Sequence, residues 1–206
     1  TTSLAVYEEG DLIHLAIFPL GSANITKDVA IGLKVEFAIA EDIKKQHGLC
    51  MIVSNSTRGE VRPEKVKKDQ GKKKIEVFDA SSSLSFTEKD LVDIIEPRVS
   101  EIIDLIQKEL KKIGRQELLP GGVVLTGGGS KLPKMKELVK EHLKLNCEIG
   151  LLKGIVGVDQ DPALATVVGL VVGGISGHAL EKEGAFGGLS KGFFSKIKKV
   201  FRVFIP

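Results

Sequence analysis

With 206 residues, 42% of them hydrophobic and 28% charged, the chain is long enough to bury a core as one domain or two small ones. Its balance is that of a soluble globular protein, not a disordered one. The formal net charge of +3 is too small to imply nucleic acid, and the surplus is local, concentrated in 62–74 and 191–202.

Cys50 and Cys147 stand in no metal or redox spacing, which suggests a reducing cytosol, and the four histidines have no ligand spacing either. No signal peptide opens the sequence. It starts without a methionine, within two residues of a strand pattern at 4–7, as expected of a fragment. Apolar segments at 4–8 and 12–20 flank Glu9-Gly10-Asp11 and predict an antiparallel hairpin. Asn24 and Thr26 are cap-type residues ahead of a short helix through 29–33, and a second helix is expected over 36–47 with Gly48 as its stop. On that helix Glu41 and Lys44 share a face, with Lys45 beside them. The pair reads either as a solvated ion pair or as a ligand contact, the Lys44 stem covering a planar group while Glu41 accepts a ribose hydroxyl. Strands at 49–54 and 75–78 bracket a lysine-rich stretch that suits an edge-strand region. It lacks aromatic residues to stack bases, so nucleic acid is not an expected partner.

Thr87 and Asp90 form a capping arrangement, and apolar positions from Leu91 to Ile113 then repeat at helical spacing up to Gly114. Pro97 inside this pattern predicts a kink or a broken first turn near Glu96. Val123-Val124-Leu125-Thr126-Gly127-Gly128-Gly129-Ser130 follows, the pattern of a buried strand that delivers bare backbone to a ligand. It is neither a Walker loop nor a GxGxxG fingerprint, and a tight turn without a ligand is the other reading. Pro133 precedes an amphipathic helix at 134–143, and 147–150 is a short strand. Asp161-Pro162 opens a helix at 163–173. The apolar run there falls well short of the ~20 residues a membrane span needs and reads as a core helix.

Between 174 and 192 glycine becomes dense, as in a linker. Phe193, Phe194, Ile197, Val200, Phe201 and Phe204 then recur at helical spacing, with Lys191, Lys196, Lys198, Lys199 and Arg202 off that face. Aromatic on one side and cationic on the other, this terminus predicts a helix lying in the plane of an anionic bilayer. A core helix, the plainer reading, seldom carries five cations in so few residues.

In this order the features resemble the second half of the FtsA family of bacterial actin-like cell-division proteins, over nearly the whole chain. Val124-Leu125-Thr126-Gly127-Gly128-Gly129 is similar to the adenosine motif of the actin superfamily. Ile25-Thr26-Lys27-Asp28-Val29-Ala30, Ile95-Glu96-Pro97-Arg98 and Ala163-Leu164-Ala165-Thr166-Val167-Val168-Gly169-Leu170 are similar to segments more particular to FtsA.

The resemblance implies an α/β fold of the actin-like ATPase, ribonuclease H-like kind. A core subdomain would span 1–38 and 92–176, with a smaller α+β subdomain inserted at 39–91, a linker at 177–190 and an amphipathic helix at 191–206. It implies ATP as cofactor, with magnesium supplied largely by the half not present in this sequence. Gly127, Gly128 and Gly129 would back the adenosine, and Glu41 and Lys44 would contact the ribose and adenine. Thr1 and Thr2 would end a phosphate motif, and Ser22 stands where the family often has a second glycine after Gly21. Arg98 would help form the surface for the acidic C-terminal peptide of FtsZ, since guanidinium bonds carboxylates bidentately; an ion pair with Glu101 or Glu96 is the other reading. Self-association into filaments is implied as well. So is attachment to the cytoplasmic face of the cell membrane at the division site, through Phe193, Phe194, Ile197, Val200, Phe201, Phe204, Lys198, Lys199 and Arg202. Hydrolysis by this chain alone is not expected. Other actin-fold proteins, namely PilM in pilus assembly, MreB in cell shape, or an actin-fold ATPase or kinase, are the alternatives.

Overall fold

The structure is a computed structural model that describes residues 1–52, 73–79, 82–152 and 160–176. The linker and amphipathic helix expected at 177–206, and most of the lysine-rich stretch, lie outside the described residues. The chain divides into one compact unit over Thr1–Ala163 and a second over Leu164–Pro206.

The first unit opens with the expected hairpin. Strands β1 (Thr2–Glu8) and β2 (Asp11–Phe18) pair antiparallel, from Thr2 opposite Phe18 to Glu8 opposite Asp11. Glu9 and Gly10 both take positive φ, 53° and 95°, the turn whose twist matches that of the flanking strands. Val6 and Phe18 are buried, while Tyr7, Leu15 and Ile17 are exposed, so the hairpin is apolar on both faces.

Helix α1 (Ser22–Leu33) begins earlier than the cap residues suggested. Gly21 is its N-cap: the Asn24 amide donates to the Gly21 carbonyl (2.9 Å), and the Gly21 amide donates to the Asn24 side chain (3.0 Å). Gly32 sets how closely this helix can lie to the long one that follows, because a Cβ there would stand 2.6 Å from Ile94 Cδ1. Helix α2 (Phe37–His47) ends at Gly48, which is needed for space: a Cβ would meet the Lys44 carbonyl at 2.2 Å.

The strand expected at 49–54 is not formed over 49–52, its described part. The Cys50 amide donates instead to the Pro133 carbonyl (3.0 Å), and the residue is fully buried. Strand β3 (Lys74–Asp79) is found where a strand was expected, and it pairs antiparallel with β4 (Ser82–Thr87), which was not.

Helix α3 (Glu88–Lys112) carries the predicted cap. The Asp90 amide donates to Thr87 Oγ1 (3.2 Å), and the Thr87 amide donates to the Asp90 carboxylate (2.9 Å). No first turn is broken at Pro97; the helix is continuous through it. Its buried face runs on both sides of the proline, with Leu91 and Ile95 before and Val99 and Ile103 after, so packing outweighs one lost backbone bond. At the far end the Arg115 amide donates to the Leu110 carbonyl and the Gly114 amide to Lys111, with Gly114 at φ +66°, a Schellman ending.

Strands β5 (Val123–Leu125) and β6 (Cys147–Ile149) pair in parallel around helix α4 (Met135–Leu143), a β-α-β unit. Strand β5 is not the buried strand expected, since Val124 is 66% exposed. One apolar core links Ile25 and Val29 of α1, Ile43 of α2, Phe86 of β4, Ile95 and Ile103 of α3, and Leu138 of α4. At about 1.5–3 kcal/mol per buried aliphatic side chain, this core fixes where α1 and α2 stand relative to β5.

In the second unit the helix expected at 163–173 is found as α5 (Ala165–Ser176). It is not the core helix expected: Val167, Leu170 and Val171 are exposed. No helix among the described residues is long and apolar enough to cross a membrane.

Candidate functional site

The glycine turn follows β5 directly. Gly127 takes φ +84°, which only glycine adopts without strain, and its amide donates to the Pro162 carbonyl (2.9 Å). Thr126 Oγ1 donates to the same carbonyl (3.2 Å), and Ser130 Oγ donates to the Gly127 carbonyl (2.7 Å). Residues Gly128–Lys131 then form a 3₁₀ turn. Neither Gly128 nor Gly129 has a positive φ, so local conformation requires glycine at Gly127 alone. A Cβ on Gly127 would meet nothing within 4 Å, and one on Gly128 only Ala163 Cβ at 4.0 Å. A Cβ on Gly129 would touch Ser22 Cβ at 3.4 Å. Bare backbone therefore fronts open space at two positions and the first turn of α1 at the third.

The start of the chain reaches the same turn of α1. Gly21 lies against Thr1, where a Cβ would be 2.7 Å from both the amide nitrogen and the carbonyl oxygen. Thr2 Oγ1 donates to the Leu20 carbonyl (2.8 Å).

From α2, Lys44 extends its ammonium under that turn. It donates to Glu41 Oε2 (2.6 Å), Thr26 Oγ1 (2.8 Å), Ser22 Oγ (3.0 Å) and the Ser22 carbonyl (3.3 Å), and the residue is 5% exposed. The Thr26 hydroxyl in turn donates to Glu41 Oε2 (2.5 Å). This is not a solvated surface pair; Lys44 is buried and bonded to another helix. Its stem is correspondingly covered, leaving little of it to lie over a planar ligand. Glu41 is 28% exposed, and among the described residues its second oxygen has the exposed Lys45 ammonium at 3.4 Å. Burial alone would raise the Glu41 carboxyl, but the hydrogen bonds from Lys44 and Thr26 outweigh it and hold the group below the usual carboxylate range.

Thr1, Thr2, Glu41, Lys44 and the three glycines are thus brought around the first turn of α1, through Gly21 and Ser22. Such a site offers unhindered main chain, one carboxylate oxygen and hydroxyls, which suits a neutral hydroxyl-bearing group. Among the described residues no three His, Cys, Asp or Glu side chains come together. Ser22, Thr26 and Pro162 are site residues that sequence reading did not assign. No local spacing could have found them, because their partners on other elements lie 15 to 36 residues away.

Arg98 belongs to a different place, the face of α3 toward α1. It donates through Nε to Asp28 Oδ2 (2.6 Å), through Nη2 to Asp28 Oδ1 (3.0 Å), and through Nη1 to Glu101. Of the two expected acidic neighbours only Glu101 is a partner, and Asp28 was not foreseen. The bond joins two of the quoted motif segments, 25–30 and 95–98, across 70 residues. The tail residues Phe193, Phe194, Ile197, Val200, Phe201, Phe204, Lys198, Lys199 and Arg202 lie outside the described residues.

Cell division protein FtsA of Pseudomonas aeruginosa is 30% identical over 178 residues, which cover 85% of this chain and 40% of that protein. The FtsA of Bacillus subtilis is 33% identical over 171 residues, 83% of this chain and 36% of its own length. The chain therefore spans about two-fifths of the length of these relatives. Among solved structures, MreB5 of Spiroplasma citri bound to ADP superposes with a TM-score of 0.59 at 15% identity, over 82% of this chain and 49% of that one. At that identity the likeness speaks for the fold, which is α/β and of the actin-like ATPase kind. A family model described as "Cell division protein FtsA" matches residues 1–169, which take in the glycine turn, the Lys44 cluster and both ends of the Arg98–Asp28 pair, and the chain belongs to the FtsA family.

Proposed function

We propose that this chain supplies one wall of an ATP site in an actin-like cell-division protein that joins FtsZ filaments to the cytoplasmic membrane at the division site. The nucleotide part rests on one observation: Gly128 is a glycine that the backbone does not need, and among the described residues only the Ala163 Cβ, at 4.0 Å, stands near where its own Cβ would be. Close approach of a ligand to the main chain is the remaining reason for it. Adenine nucleotide is the class favoured by the fold, since the MreB5 neighbour was solved with ADP. Gly127, Gly128 and Gly129 would back the adenosine while Glu41 accepts from the ribose. Lys44 acts from behind, holding Glu41 and Ser22 in place. With magnesium and the first phosphate loop assigned to the remaining part of the cleft, ATP here serves as a conformational ligand that favours filament formation.

The tether has two further ends in this reading. Arg98 receives the acidic C-terminal peptide of FtsZ, and the aromatic, cationic terminus lies on anionic lipid.

Titrating ATP to low millimolar concentration into the labelled chain tests the nucleotide site by amide chemical shifts. Shifts confined to 20–22, 41–45 and 126–130 are expected, and Gly128→Val should abolish them while leaving the melting temperature unchanged. Shifts spread evenly over the surface, or intact in Gly128→Val, would refute the site. A pull-down with an acidic FtsZ tail peptide tests the partner. Binding should be lost in Arg98→Glu and kept in Lys73→Glu.

A further inference from the structure

Arg98 has five N–H donors, and the structure divides them unequally. Asp28, on a different helix, takes Nε and Nη2 in a two-bond fork and is 24% exposed. Glu101, one turn along the same helix, takes only Nη1 and is 51% exposed. The hydrogen bond to Asp28 is the chief reason the guanidinium is held charged even more firmly than an ordinary arginine. The inner edge of Arg98 is therefore anchored and the outer edge carries a single rim carboxylate.

We infer that Glu101 is an internal stand-in for an acidic ligand, occupying in the free chain the outer edge of Arg98 that a partner carboxylate takes. This rests on the reading that Arg98 receives an acidic peptide, and it adds how the site is kept closed and what must move. Asp28 stays and aims the guanidinium at solvent. Glu101 swings away, exchanging one charge-assisted bond for another, so no charge is left unpaired on Arg98. The fitting partner is a peptide that presents a side-chain or terminal carboxylate to the outer edge formed by Nη1 and the second Nη2 hydrogen, the Nε–Nη2 edge being held by Asp28. A rim ion pair of this exposure is weak enough to be displaced, and its competition should lower peptide affinity only severalfold.

Fluorescence anisotropy with a labelled synthetic acidic FtsZ tail peptide, titrated into the whole 206-residue chain at low salt, tests this. Glu101→Gln should bind about two- to five-fold more tightly than the parent chain. Glu141→Gln removes the same charge from an exposed position on α4 and should change nothing, and thermal melts confirm that each variant is folded. Equal or weaker binding by Glu101→Gln, or an equal gain in Glu141→Gln, overturns the inference while Arg98→Glu still abolishes binding. If the parent chain does not bind the peptide, or Arg98→Glu binds it as well, the reading beneath falls and this inference falls with it.

Discussion

Lys44 has three hydrogens to give and four oxygens within reach, and it is almost wholly buried. Lys44→Met keeps the stem but removes the charged donor to the Thr26 hydroxyl, the Ser22 hydroxyl and carbonyl and Glu41 Oε2, leaving the carboxylate oxygen with the Thr26 hydroxyl. Glu41 retains access to water, so the loss should be about 1–3 kcal/mol, below that of a fully enclosed pair. Urea unfolding should show it as a lower midpoint at unchanged slope. The pH dependence has a definite sign. The folded state holds the Glu41 carboxyl below its ordinary 4.5, so it binds fewer protons there than the unfolded chain. The stabilisation is fully present above pH 4.5 and is lost as the pH falls through the lower folded value. The gap in stability between the parent chain and Lys44→Met should therefore be widest near neutrality and narrow below that pH. A gap constant down to the acid transition would mean that Glu41 does not titrate against Lys44.

Whole elements behave as their local chemistry dictates where that chemistry is self-contained. Thr87 caps α3 through the Asp90 amide, and Thr87→Ala should cost about 1 kcal/mol by thermal or urea unfolding. A reciprocal Asp90→Ala change should be less than additive with it, since both break one box. These features could be read from the sequence because both partners sit within one turn, as could the Glu9-Gly10 hairpin and the glycine after α3. Strand β4 could not. Ser82, Ser83 and Ser85 give it poor strand propensity, and only the alternation of Leu84 and Phe86 against β3 makes it a strand. Residues 49–52 failed in the opposite direction, an apolar run without a ladder, whose Cys50 is buried and bonds the loop before α4. The candidate site divides along the same line. Spacing put Glu41 and Lys44 on one face, and glycine chemistry marked the turn. That Lys44 points back into α1, and that Arg98 meets Asp28, depends on how helices 18 to 70 residues apart pack, which no local pattern encodes.

At the scale of the whole molecule the proposal is a bridge, with lipid at one end, a filament protein at the other and a nucleotide-responsive body between. The lipid end rests on sequence pattern: six apolar side chains, four of them phenylalanine, at helical spacing among five cations. Each buried phenylalanine contributes about 1.5–3 kcal/mol and each cation near an anionic surface about 1 kcal/mol, so neither part is sufficient by itself. Phe201→Glu attacks both, removing one aromatic anchor and placing a negative charge among the lipid headgroups. The parent chain should float with vesicles rich in anionic lipid and much less with zwitterionic ones, and Phe201→Glu should remain in the dense fraction. Salt separates the two contributions: a helix lying in the interface keeps part of its binding at high ionic strength, whereas charge attraction alone is screened away. Flotation of Phe201→Glu equal to the parent, combined with complete release by salt, would mean that the cations adhere to the membrane without an inserted apolar face, and the tether would then need another anchor.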